Sequence, residues 1–192
     1  MDTEKRLGIK KPKAIMLFVQ MILIIFLLVV SVYLLIFVIS HKLGGWMISS
    51  YIFITLSVLA LILYGIMGYK KGDMAYKLAI LPFSAAVFIN VLLPERETLQ
   101  IALLTILFAL TIAFLVKQEN QRFTYAVGLL MVAISLTFSI YSAIKANVKF
   151  LGDISDNWMT YVAMYASIFI PVVMSFTFAL TYNVRTTRED LL

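Results

Sequence analysis

The side chains able to carry acid–base, nucleophilic or metal chemistry are few and scattered. The chain has one histidine, His41, beside Lys42, and no cysteine. A lone imidazole can titrate or bind a metal, but without a second His or any Cys it lacks a zinc-type ligand set, and it reads as a solvated loop residue. Three acid pairs stand out, Glu95 with Glu97, Asp153 with Asp156, and Glu189 with Asp190. Paired carboxylates can hold a divalent cation or act as acid and base. Each pair falls in a short hydrophilic connection or in the C-terminal tail, where solvated charge is expected. There is no Gly-rich phosphate loop, no Ser-His-Asp set, no His-Glu-x-x-His and no Gly-x-Ser-x-Gly elbow. These patterns predict a protein that is not an enzyme, with no catalytic residue, cofactor or metal site. An intramembrane lipid-modifying enzyme using an interfacial carboxylate is the remote alternative.

The scarcity of such groups follows from composition. Of 192 residues, 62% are hydrophobic and 14% charged, and the mean hydropathy is +0.99, whereas a soluble domain is roughly half apolar and a quarter charged. That excludes an ordinary soluble enzyme. Apolar runs at 14–40, 46–69, 74–93, 98–116, 123–144 and 158–183 are long enough for transmembrane helices. The fold expected is an all-α integral membrane protein, a bundle of six transmembrane helices over 14–183, between a basic tail at 1–13 and a short tail at 184–192. The first run is too long for a secretory signal core and has no small-x-small cleavage site, so it reads as a retained helix. The third is weakest. Its uncharged part, 78–93, makes about 24 Å of helix, and Pro82 sits inside it. Five spans with a re-entrant third segment are therefore the alternative.

Charge placement sets the expected orientation, because cytoplasmic loops collect Lys and Arg. With six spans and both termini cytoplasmic, the inner segments hold Lys5, Arg6, Lys10, Lys11, Lys13, Lys70, Lys71, Lys77, Lys117, Arg122, Arg185 and Arg188, and the outer ones hold only Lys42, Arg96, Lys145 and Lys149. The net charge of +6 is then mostly a basic N-terminal tail facing anionic lipid headgroups, not a nucleic-acid surface. The expected location is an integral one in a prokaryotic plasma membrane, N-terminus inside. No Asp, Glu, Lys or Arg falls deep within a span, which argues against proton relays and charge-gated conduction.

Steric and aromatic patterns supply the remaining candidates. Ala163, Ser167, Pro171, Ser175 and Ala179 recur every four residues along the sixth span, and Ser135, Ser139 and Ala143 make a shorter stripe on the fifth. Such stripes let helices approach closely, and Pro171 should kink its helix, either as a kink tolerated in a packed bundle or as a hinge or carbonyl-lined site. The first span has no Gly, Ala or Ser between 15 and 30, and is expected to be peripheral and lipid-facing. Tyr64, Tyr69, Tyr76, Tyr125 and Tyr182 are placed for an inner interfacial girdle. Toward the outer side, Asn90, Trp158, Tyr161 and Tyr165 could surround a ligand. Setting the two halves of the chain against one another gives no repeat beyond shared apolar composition.

The general plan, 192 residues in six helices with both ends inside, looks like the substrate-binding membrane subunits of energy-coupling-factor vitamin transporters. The Ala-x-x-x-Ala helix-contact motif of those subunits' first span has no counterpart in 14–40. The expected function is a small transport-type or substrate-binding membrane component for a small, largely neutral solute that enters from the outer face. The alternative is a non-catalytic scaffold or accessory subunit, docked through its small-residue faces to a membrane-protein partner or to a second copy.

Overall fold

The computed structural model describes residues 14–66, 72–93, 96–116, 121–150 and 158–189. The basic tail 1–13, Tyr69, Glu95, Asp153, Asp156 and Asp190 lie outside them, as do the side chains of Trp158 and Glu189. Six helices follow one another: α1 (Ala14–Ser40), α2 (Gly45–Ile66), α3 (Gly72–Val91), α4 (Thr98–Val116), α5 (Gln121–Phe150) and α6 (Trp158–Glu189). Five are long and apolar enough to cross a membrane, while the apolar part of α3, Tyr76–Val91, is shorter. Each helix packs on the one before it, and α6 returns to α1, so the six close into a ring.

The exterior is apolar, unlike that of a soluble bundle, and hydroxyls join the apolar core. Phe18, Ile25, Leu63, Leu81, Leu129 and Phe176 are exposed, whereas Gln20, Ser57, Thr111, Ser135, Ser139, Ser175 and Thr181 are buried. Apolar exterior with hydroxyls inside is what a lipid solvent selects, because burial against protein gives polar groups partners that hydrocarbon cannot. Most hydroxyls donate within their own helix, as Ser31 does to Leu28 O and Thr177 to Val173 O. A few cross between helices, and these decide the packing.

The two prolines inside described helices, Pro82 and Pro171, are handled alike. A proline removes the donor for the carbonyl four residues back and its ring pushes that turn open, which loosens the neighbouring carbonyl too. Ser57 of α2 donates to Ala79 O, three residues before Pro82, at 2.6 Å. Ser139 of α5 donates to Ile168 O, three residues before Pro171, also at 2.6 Å. A preceding helix therefore supplies a hydroxyl to each opened turn, once in the first three helices and once in the last three. This correspondence was hidden from sequence comparison because it lies in a bond between helices rather than in aligned residues.

Antiparallel register between α2 and α3 follows from the same seam. Asn90 Nδ2 lies 2.6 Å from Ser50 Oγ at one end, and the Tyr64 and Tyr76 rings lie 5.6 Å apart at the other, with Ser57 and Ala79 midway. Ser50, Ser57 and Tyr64 are seven residues apart, two helical turns each, so they share one face of α2. Thus α3 runs beside α2 from the depth of Ser50 to that of Tyr64.

Two sequence expectations are corrected. α1 is not merely peripheral: Gln20, Ile24, Leu27, Ser31, Leu34 and Val38 form a buried seam at helical spacing, with Leu27 wholly enclosed. Its lipid-facing majority masked that seam, whose only polar members are Gln20 and Ser31. The Tyr64, Tyr76 and Tyr182 side chains are buried rather than ranged along an interface. With Phe114 and Phe178 they form an aromatic cluster, Tyr76 lying 6.2 Å from both phenylalanine rings and 6.5 Å from Tyr182. Tyr125 remains exposed and donates to Asn183 Oδ1. Gly128 permits the close approach here, because a Cβ would sit 3.3 Å from Phe114 Cε2 and 3.4 Å from Ala179 Cβ.

Removing the hydroxyl in Ser139→Ala should cost roughly 0.5–1.5 kcal/mol of unfolding free energy in mixed micelles. In a Pro171→Ala background, where the turn closes, the same change should cost less. An undiminished cost would show that the hydroxyl does not serve the kink.

Candidate functional site

The end of the bundle near His41, where α1 meets α2 and α3 approaches α4, carries several polar contacts between elements. His41 caps α1: its Nδ1 lies 2.9 Å from Phe37 O, and its ring stacks on Phe37 at 4.1 Å. Lys42 follows with φ 51°, the left-handed position of a helix-ending motif in which Lys42 N donates to Ile39 O and Leu43 N to Val38 O. The histidine is thus engaged by the helix it ends. Among the described residues no group of three or more His, Asp or Glu could hold a metal ion.

α4 begins with a side-chain cap. Gln100, three residues after Glu97, accepts from Glu97 N at 3.2 Å and donates to Ser142 of α5 at 2.9 Å. Glu97 in turn accepts from the Tyr141 hydroxyl and lies 3.4 Å from Lys145 Nζ. This carboxylate, one of the sequence-level acid pairs, therefore fastens α4 to α5.

Between these fastenings lies a narrow cleft with about 20 Å³ of free volume, room for about one water. Tyr51 and Ile54 of α2, Phe83, Ala86, Val87 and Asn90 of α3, Leu104 of α4, Phe138 of α5, and Ser167, Ile170 and Pro171 of α6 line it, together with Arg96 of the α3–α4 connection. Every helix except α1 contributes. Spacing explains the convergence: 83, 86, 87 and 90 recur on one face of α3, and 167, 170 and 171 on one face of α6. Pro171 lies thirteen residues beyond Trp158, about 20 Å along the helix, so the cleft reaches deep into the bundle. Below it, Phe83 contacts Phe178 at 5.5 Å, and the aromatic cluster fills the opposite end.

The polar wall is a relay that starts at Arg96. Its Nη2 donates to Asn90 Oδ1 at 3.1 Å, and Asn90 Nδ2 reaches Ser50 Oγ and Ala86 O. The guanidinium stands 5.7 Å from the Phe138 ring centroid, a cation–π distance. Tyr51 approaches both the Ser167 hydroxyl and the Arg96 charge. Ser167 Oγ also donates to Met164 O at 2.7 Å.

The sequence-level candidates divide accordingly. Asn90, Ser167 and Pro171 line the cleft, whereas Tyr161 and Tyr165, both half-buried on α6, are not among its lining residues. Ala163, Ser135, Ser139 and Ser175 are buried within the bundle, Ala143 is half-buried, and Ala179 meets Gly128. Sequence reasoning passed over Arg96, Tyr51 and Phe138. Arg96 counted only as an outer-loop charge, but its position six residues after Asn90, past a helix end, lets it fold back over the bundle.

Asn90→Leu should remove both ends of the relay and lower unfolding stability by about 1–3 kcal/mol, since it leaves polar neighbours without a partner. Thermal unfolding in detergent checks this, and an unchanged midpoint would mean that the relay carries no stability. Comparison with known proteins gives no match, whether to a family model, a curated protein or a solved structure, so the likeness to vitamin-transporter subunits rests on general plan alone.

Proposed function

We propose that the chain is a six-span membrane protein with both termini inside, and that its cleft takes up a small, largely neutral solute from the outer face as a transport-type or substrate-binding component. The observation that carries this reading is the cleft itself, a narrow space walled by five helices and lined from Arg96 to Pro171. Its apolar walls with a few convergent polar groups are the usual composition of a binding site. Orientation rests on the inward bias of Lys and Arg. The depth that α3 shares with α2 supports a full crossing by the third helix.

The arrangement of bends and plug favours solute passage over simple occupancy. Pro82 and Pro171 each interrupt the bonding of a helix, and the aromatic cluster closes the end opposite the cleft. A helix loosened at its middle can tilt its halves against such a plug, which is how discontinuous helices expose a midplane site alternately to each side. The reading is non-catalytic: among the described lining residues there is no His, Asp or Glu. The scaffold alternative draws on the small-residue stripes, whose members are used largely within the bundle.

Because the chain has no native cysteine, single-cysteine variants report water access directly. In right-side-out vesicles, Ser167→Cys should react with a membrane-impermeant thiosulfonate added outside, and Ser175→Cys should not. An unreactive Ser167→Cys would mean a dry, closed bundle and would favour the accessory role.

A further inference from the structure

Resting on that reading, we propose that Arg96 and Glu97 form a strap across the mouth of the cleft, anchored on α3 through Asn90 and on α5 through Tyr141 and Lys145, and that release of Glu97 from α5 admits the solute. The two residues lie between the end of α3 at Val91 and the start of α4 at Thr98. Their side chains are anchored on different helices. Arg96 Nη2 donates to Asn90 Oδ1 at 3.1 Å and its guanidinium stands over the Phe138 ring, whereas Glu97 accepts from the Tyr141 hydroxyl and lies 3.4 Å from Lys145 Nζ. Because Asn90, Arg96 and Phe138 all line the cleft, the first residue of the strap is part of the wall that the second holds in place. A space with about 20 Å³ free, enough for about one water, is the cleft with its strap fastened.

The anchor on α5 has the placement and the strength that a releasable contact needs. Phe138, Tyr141, Ser142 and Lys145 share one face of α5 by their spacing, so the wall of the cleft and the anchor of the strap follow one another along a single helix. Lys145 Nζ also stands 5.6 Å from the Tyr141 ring centroid, so cation and hydroxyl meet the carboxylate together. The Lys145 and Glu97 side chains are 45% and 38% exposed, and ion pairs in such a setting are weak because water competes for both charges. The helices themselves are fastened separately. Gln100 of α4 donates to Ser142 of α5 at 2.9 Å, a bond between two buried side chains, and it keeps α4 on α5 while Glu97 lets go. Release of the carboxylate therefore frees Arg96 to leave Phe138 without unpacking the bundle.

The test reads the rate at which Ser167→Cys, in the full chain and in right-side-out vesicles, reacts with a membrane-impermeant thiosulfonate added outside. Lys145→Gln should raise that rate about two- to fivefold, the weight of an exposed ion pair, and Glu97→Lys, which sets two cations side by side, should raise it further. Exchanging the charges, Glu97→Lys with Lys145→Glu, should bring the rate back toward that of the parent, a rescue that a general loss of packing would not give. Ser175→Cys should stay unreactive in the Glu97→Lys chain. Should Glu97→Lys fold poorly, Lys145→Gln, a change at a half-exposed side chain, makes the comparison alone. Equal rates for Ser167→Cys in every background would overturn the strap and leave the solute-binding reading standing. Labelling of Ser175→Cys in the Glu97→Lys chain would show the whole bundle loosened and would also overturn it. If Ser167→Cys labels in neither the parent nor the altered chains, the reading and the strap fail together.

Discussion

A bilayer offers no water to a loosened backbone carbonyl, and this constraint organises the bundle. Both prolines open a turn at the middle of an apolar helix, and both openings are met by a serine hydroxyl from the helix before, Ser57 on Ala79 O and Ser139 on Ile168 O. Without those donors each bend would expose a carbonyl to hydrocarbon at a cost of several kcal/mol. With them, the bends are tolerated, and α2 with α3 and α5 with α6 become paired units. The other close approaches, at Gly128 and along the seam of α1, then fill the ring between those pairs.

From that pairing come the two unlike ends of the interior. Near Pro171 of α6 the interior leaves a narrow cleft, and the polar relay from Arg96 through Asn90 to Ser50 holds its rim. Where Tyr64, Tyr76, Phe114, Phe178 and Tyr182 meet, the interior is closed by rings. Tyr76 ties the plug to the second pair by donating to Phe178 O. Gln20 reaches Thr181 from α1 at 2.8 Å, but its own carbonyl oxygen and Ser175 Oγ have no partner among the described residues. These buried polar atoms sit in the half of the bundle that any movement of α6 would rearrange.

The helices were legible in the sequence because unbroken apolar runs have one explanation in a chain this hydrophobic: α1 and α4 begin and end where the runs at 14–40 and 98–116 do. Inward-facing positions were not legible to the same degree. In a soluble helix polarity separates the faces, but here Leu27, wholly buried, and Ile25, exposed, are chemically alike. Tyrosines near span ends fit an interfacial belt and an internal plug equally well, and only neighbours decide. The candidate site was half visible. Asn90 drew attention as an amide in an apolar helix and Pro171 as a mid-span break, and both line the cleft. Arg96 carried no signal beyond its charge, since its role depends on a connection folding back over Phe138. Ser57 and Ser139 were ordinary small residues until the prolines they serve, 25 and 32 positions onward in the numbering, were brought beside them.

The central claim is that one face of α6 is wet as far as the Pro171 bend while the same helix is dry beyond it. Nitroxides placed singly from 163 to 179 in the cysteine-free chain, in lipid vesicles, measure this through collision with a water-soluble nickel complex and with oxygen. The account expects nickel accessibility to peak at Ser167, oxygen accessibility to dominate at Phe169 and Phe176, and neither relaxant to reach Ser175. A Ser167 label as inaccessible as the one at Ser175 would contradict the cleft and the function drawn from it.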